Sequence, residues 1–153
     1  MTSEFTQRQS YDLVRDISSL GSLFFYALVL VFFAAIKDSK MFFRLFTGVL
    51  IVYAITIIIR AAYFKERPKK FSYHNFLERL DAASFPSLHA ARTGLLALSF
   101  IYYFNKPILS AIIALLALGI LYSRIYLKRH DFKDVIAGAV LGVLVYFIVN
   151  IVL

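Results

Sequence analysis

DVIAGAVLGVLVYFIVNIVL, Asp134 to Leu153, is apolar almost throughout and carries one charge, at its first position. About 20 residues of helix cross the ~30 Å hydrocarbon core of a bilayer, so this stretch reads as a membrane span. Gly138 and Gly142 within it make a G-x-x-x-G, which lets another backbone come close; ordinary helix packing accounts for it better than dimerisation. Four earlier blocks read the same way: roughly Ser18 to Ile36, Phe42 to Tyr63, Pro86 to Phe104 and Pro107 to Leu127.

The composition agrees. Hydrophobic residues make up 61% of the 153, against roughly 45–50% in soluble domains. A soluble chain of this length could not bury sixteen Phe, ten Tyr and the accompanying aliphatic residues. With no Cys, disulfides, thiolate metal sites and a Cys nucleophile are excluded. The net charge of +8 implies anionic partners. Nucleic acid is the weakest of these, because Lys and Arg fall in short islands between apolar blocks rather than on one broad basic face.

Ahead of the first block, SEFTQRQSYDLVRDISSL sets Phe5, Leu13, Val14, Ile17 and Leu20 among charges, mostly on one helical face. Residues 1–17 therefore read as an interfacial amphipathic helix. The expected fold is all-α, a polytopic membrane helical bundle with about five transmembrane helices plus that N-terminal interfacial helix. Residues 1–153 form one membrane-embedded domain. With five spans, the long charged connection from Phe64 to Phe85 and the one from Arg124 to Lys133 lie on the same side of the membrane.

Ionisable groups at span ends cost free energy and call for a reason. Arg60, Lys65 and Arg67 close the second span, His89 and Arg92 open the third, and Arg124, His130 and Asp134 join the fourth to the fifth. Arginines singly can be snorkelling anchors, but histidines have no such role. His130 and Asp134 are four apart, so on a helix the carboxylate can accept from the imidazole and leave the other ring nitrogen free to attack. Asp131 competes for that place but faces away if the helix has begun. A nucleophilic His, a second His to protonate a leaving oxygen, and guanidinium forks suit phosphoryl transfer. No acidic cluster with metal-ligand spacing stands near them.

In these residues the chain resembles the type 2 phosphatidic acid phosphatase superfamily, the lipid phosphate phosphatases. The family pattern is K-x6-R-P, P-S-G-H and S-R-x5-H-x3-D. Here it reads Arg60-x6-Arg67-Pro68, Pro86-Ser87-Leu88-His89 and Ser123-Arg124-x5-His130-x3-Asp134, in order and in spacing. The resemblance implies His130 as the nucleophile forming a phosphohistidine, Asp134 as its orienting partner and His89 as the general acid. It implies Arg60, Arg67, Arg124, Ser87 and the backbone N–H of Leu88 as the phosphate-binding set, with no metal or other cofactor. Lys65 and Arg92 are candidate accessory cations; Arg92 lies outside the pattern, placed to act on His89 or a headgroup or to form a structural ion pair. The substrate is then a phosphate monoester or diphosphate on a lipid, such as phosphatidate, phosphatidylglycerol phosphate or a polyprenyl diphosphate.

Two positions depart from the pattern. Arg60 stands where the family has Lys, and Leu88 where it has Gly, adding a side chain where the backbone should approach a phosphate. Leu88 keeps a second reading open, a catalytically altered lipid-phosphate binding or transport protein on the same fold. The family's habit places the site on the extracytoplasmic face of the plasma membrane. The positive-inside count opposes it: Arg8, Arg15, Lys65, Lys69, Lys70, Arg79, Lys128, Arg129 and Lys133 share the site's side, against Lys37, Lys40, Arg44 and Lys106.

Overall fold

In lipid every backbone N–H and C=O must find its partner within the chain, and a helix satisfies them segment by segment. The computed structural model is all-α accordingly. It describes residues 2–69 and 72–153, without the side chains of residues 2, 3 and 5; the Phe5 side chain and Lys70 lie outside the described residues. The helices are α1 (Thr2–Ser19), α2 (Leu23–Ala35), α3 (Ser39–Ala62), α4 (Phe76–Ala82), α5 (Leu88–Phe104), α6 (Pro107–Tyr126) and α7 (Phe132–Val152).

The chain is a polytopic membrane bundle. Helices α3, α6 and α7 are each long and apolar enough to cross a bilayer, and α1 with α2 makes a fourth crossing when the bent pair is taken as one. Large side chains on the outer faces, such as Ile151 at 84% and Ile108 at 78% exposure, are placed for lipid contact. The five apolar blocks become α2, α3, α5, α6 and α7. The first needs correction: Ser18 is the penultimate residue of α1, the chain breaks at residues 20–22, and α2 leaves at 43°. Ser22 starts the new helix by accepting from the Phe25 N–H at 3.1 Å. Helix α1 packs along α6, with Ile17 against Gly119.

Helix α5 is central, touching α3, α6 and α7. Its start is set by Ser87, whose hydroxyl accepts from the Ala90 N–H, and its end by Asn105 in the left-handed conformation, φ 46°. Tyr26, Phe33, Leu45, Val52, Leu95 and Val145 fill the core between α2, α3, α5 and α7.

The G-x-x-x-G of α7 turns inward onto α5. A Cβ on Gly138 would overlap the Ser87 carbonyl, and one on Gly142 the Ala91 carbonyl. From the other helix, a Cβ on Gly94 would stand 2.8 Å from the Ala139 carbonyl. Backbone therefore meets backbone, and the Ser87 N–H donates to the Asp134 carbonyl at 3.0 Å across the two helix starts. Gly142→Ala is expected to destabilise by about 1–3 kcal/mol, read as an earlier thermal transition in detergent. Val140→Leu, on the half-exposed face of the same helix, should stay within about 0.5 kcal/mol. Equal melting of the two variants would contradict this contact.

Candidate active site

The site grows from the start of α7. Asp134 lies in its first turn and is fully buried, so its oxygens must be satisfied by protein donors. Lys65 Nζ donates to Oδ1 at 2.6 Å. The Ser84 hydroxyl and, at 3.1 Å, the Asp131 N–H donate to Oδ2. Lys65 also pairs with the Asp131 carboxylate at 3.0 Å. Burial would lower the Lys65 pKa, but its bonds to Asp134 and Asp131 outweigh that and hold it above the usual value.

His130 stands in the turn before α7, not on the helix as its spacing suggested. Lys128 makes that turn tight by taking φ 53°. The backbone N–H of His130 donates to the Arg124 carbonyl at 3.2 Å, which ties it to the end of α6. Its Nδ1 is 3.9 Å from Asp134 Oδ2, too far for a direct hydrogen bond. Ser84 stands between them, with its oxygen 3.4 Å from Nδ1. The single hydroxyl proton of Ser84 goes to Asp134, so its oxygen can only accept, from a proton on Nδ1. That tautomer leaves the lone pair on Nε2. Burial first, then the charges of Arg67 and Arg124, lower the His130 pKa to about 3, against the opposing pull of Asp134. Arg60 acts in the same direction.

All three motif arginines thus converge on His130 electrostatically, though each also holds the scaffold. Arg60 is buried and donates to the Leu80 and Pro86 carbonyls at 2.9 and 3.0 Å. Arg67 donates to the Asp81 carbonyl, and Arg124 to the Ser18 hydroxyl at 2.9 Å. The Nε atoms of Arg60 and Arg124 are buried without an acceptor, a state that a bound anion would relieve.

On the facing helix, Leu88 is the first residue of α5, with helical backbone, and its side chain packs on the core. No left-handed conformation is required there, so the departure from Gly is accommodated. His89 is not free. Its Nε2 meets the Ser18 carbonyl at 2.7 Å, and its Nδ1 faces Arg92 at 3.4 Å. Arg92 donates to the Tyr53 hydroxyl at 2.6 Å and to the Gly21 carbonyl; it stands behind His89 as a tie between α5, α3 and the α1–α2 break. His89 and Arg124 share a cleft of about 340 Å³ with Tyr11, Arg15, Ser18 and Arg129.

Ser84 and Ser18 were not singled out by the sequence. Ser84 precedes the P-S-x-H motif by two residues, and Ser18 is distant from every motif. Short α4 was missed too, although N-F-L-E carried its signal: Asn75 accepts from the Glu78 N–H at 2.8 Å, and Glu78 reaches back to the His74 N–H at 2.7 Å. Among the described residues no three His, Asp or Glu side chains converge as metal ligands would.

A membrane bundle that brings two histidines and several arginines to one end of adjacent helices belongs to a definable class. The chain is a member of the PAP2 superfamily, whose sequence profile matches residues 42–153. Over 58 residues it is 45% identical to the lipid A 4'-phosphatase of Bacteroides thetaiotaomicron; the match takes in 38% of this chain and spans only 26% of that protein. The crystal structure of LpxE from Aquifex aeolicus superposes with a TM-score of 0.76 at 24% identity, over 93% of this chain and 86% of the other. The PAP2 type phosphatidylglycerolphosphate phosphatase of Bacillus subtilis gives 0.64 at 22% identity, over 93% and 75%. These two likenesses establish the fold.

The position of His130 sets a pH expectation. An unfolded His takes up its proton near pH 6.5, while the folded one stays neutral down to about pH 3. His130 therefore withdraws stability as pH falls from about 6.5 toward 3. Ring-nitrogen NMR of 15N-histidine protein should show the His130 signal neutral and unmoved at pH 5; a midpoint near 6.5 would contradict the burial described.

Proposed function

We propose that the chain is a lipid phosphate phosphatase that removes a phosphate group from a lipid monoester or diphosphate through a phosphohistidine at His130. The observation that carries this reading is the environment of that imidazole. It is buried and neutral, its Nδ1 edge is engaged by Ser84, and three arginine charges bear on it. A neutral nitrogen with a free lone pair is nucleophilic, and guanidinium groups with unsatisfied donors suit the equatorial oxygens of a transferring phosphoryl group. Two phosphatases it resembles, one of lipid A and one of phosphatidylglycerolphosphate, point to the same class.

In the reaction the Nε2 lone pair of His130 attacks phosphorus as the bond to the leaving oxygen breaks. His89, protonated once the anionic substrate has entered, gives its proton to that oxygen. Water then attacks the phosphohistidine and gives a proton back to His89, the P–N bond breaks, and inorganic phosphate leaves with both histidines as they began. Arg60, Arg67 and Arg124 hold the phosphoryl oxygens, the backbone N–H of Leu88 at the N-terminus of α5 adds a donor, and Asp134 steadies His130 through Ser84. No step calls for a metal. Leu88, which kept a non-catalytic binder open, has ordinary helical geometry and an inward side chain, so turnover is favoured.

Phosphate release from phosphatidate, phosphatidylglycerol phosphate and a polyprenyl diphosphate in detergent tests the proposal. The wild-type chain should turn over at least one of them in EDTA and be inhibited by vanadate, and His130→Ala should fall below about a thousandth of that rate. Turnover unchanged in His130→Ala would remove the nucleophile, and binding without turnover by the wild type would favour the altered binder.

A further inference from the structure

The family match begins at residue 42, yet the site closes on residues ahead of it. Where α1 ends and α2 begins, the chain passes through one tight elbow, with the Gly21 N–H donating to the Ser18 carbonyl at 3.1 Å. The same carbonyl takes His89 Nε2 at 2.7 Å, which occupies both of its lone pairs. Three residues on, the Gly21 carbonyl accepts from Nε and from a terminal nitrogen of Arg92, both at 3.3 Å. The Ser18 hydroxyl accepts from Arg124 at 2.9 Å. Ser18 is buried at the edge of the cleft it lines with His89 and Arg124.

The two neighbours of the His89 ring define its state from both sides. A carbonyl only accepts, so Nε2 carries the proton; a guanidinium only donates, so Nδ1 presents its lone pair. The elbow can stand this close because residue 21 has no side chain. A Cβ there would lie 2.5 Å from His89 Cδ2, 2.7 Å from Nε2 and 2.8 Å from an Ile120 methyl. Ile120 is buried inside the α6 packing, so the histidine ring would be the group to yield.

We propose that the elbow from Ser18 to Gly21 is a positioning element of the phosphatase site. Its Ser18 carbonyl takes the Nε2 proton of His89 at rest and so fixes the ring and its tautomer at the edge of the cleft they share, its Ser18 hydroxyl steers Arg124, and Gly21 leaves the room in which the ring stands. This rests on the reading of His89 as the acid. Within it, residues outside the matched family region set how well the leaving group is protonated.

Leaving-group dependence separates such a role from a merely structural one, because an acid is needed for an alkoxide and hardly for p-nitrophenolate. Gly21→Ala, in detergent, is expected to lose on the order of 10–100-fold in kcat/KM, which reports the first displacement, on phosphatidate, with a loss below about threefold in kcat/KM on p-nitrophenyl phosphate. Equal losses on both substrates, or no loss on either, would overturn the proposal. His89→Ala serves as reference. If His89→Ala itself shows no preference for the good leaving group, the acid reading fails; if it does and Gly21→Ala does not, the elbow fails alone. Should Gly21→Ala not fold, ring-nitrogen NMR of the wild-type chain decides: a resting His89 protonated at Nε2 is expected, and one protonated at Nδ1 overturns the proposal.

Discussion

A carboxylate without solvent must have its charge and lone pairs met by donors held in place, and Asp134 is that carboxylate here. Lys65 comes to it from the loop after α3, Ser84 from the loop before α5, and the Asp131 N–H from its own helix turn. Its backbone carbonyl takes the Ser87 N–H. Removing one partner of a buried charged group typically costs about 3–5 kcal/mol, because the remaining charge is stranded. The long polar connection between α3 and α5 is therefore fastened at both ends to the start of α7. The fastening in turn depends on Gly138 and Gly142, since side chains there would drive α5 and α7 apart.

The chemistry follows from that arrangement. The start of α5 offers the Leu88 N–H and a favourable dipole to an anion, and the arginines around it brace the scaffold as well as bearing on His130. Arg60 shows how the two tasks combine: two of its nitrogens hold the Leu80 and Pro86 carbonyls, and its Nε is left without an acceptor. A lysine could not make both contacts and keep a third donor in the same plane, which gives a physical sense to the Arg found where the family has Lys. The Leu found where the family has Gly is tolerated for a simpler reason, that its side chain points into the core.

Much of this was legible in the sequence. Hydropathy alone marked α3, α6 and α7 as spans, although the block that became α5 is shorter than a full crossing, and motif spacing marked His89, Arg124, His130 and Asp134. What stayed hidden depends on packing between distant segments. Ser84 is a bridge only because a loop 50 residues away in sequence is folded onto Asp134, and Ser18 serves His89 across 71 residues. Neither has a local pattern to betray it. The elbow escaped although Ser18, Ser19, Gly21 and Ser22 cluster there as a turn signal, because the first apolar block begins at Ser18 and reads straight through them. The preference for Asp134 over Asp131 beside His130 rested on helical stacking, yet His130 precedes the helix; the contact is made through a serine, and Asp131 turns to Lys65.

The central claim is that phosphate passes through His130 in two displacements, and its stereochemistry tests that most directly. A lipid phosphate monoester made chiral at phosphorus with oxygen isotopes would be turned over in the presence of an acceptor alcohol, and the configuration of the transferred phosphoryl group read by 31P NMR. Two in-line displacements, on and off His130 Nε2, predict overall retention. Inversion would mean one direct attack on phosphorus and would contradict the account.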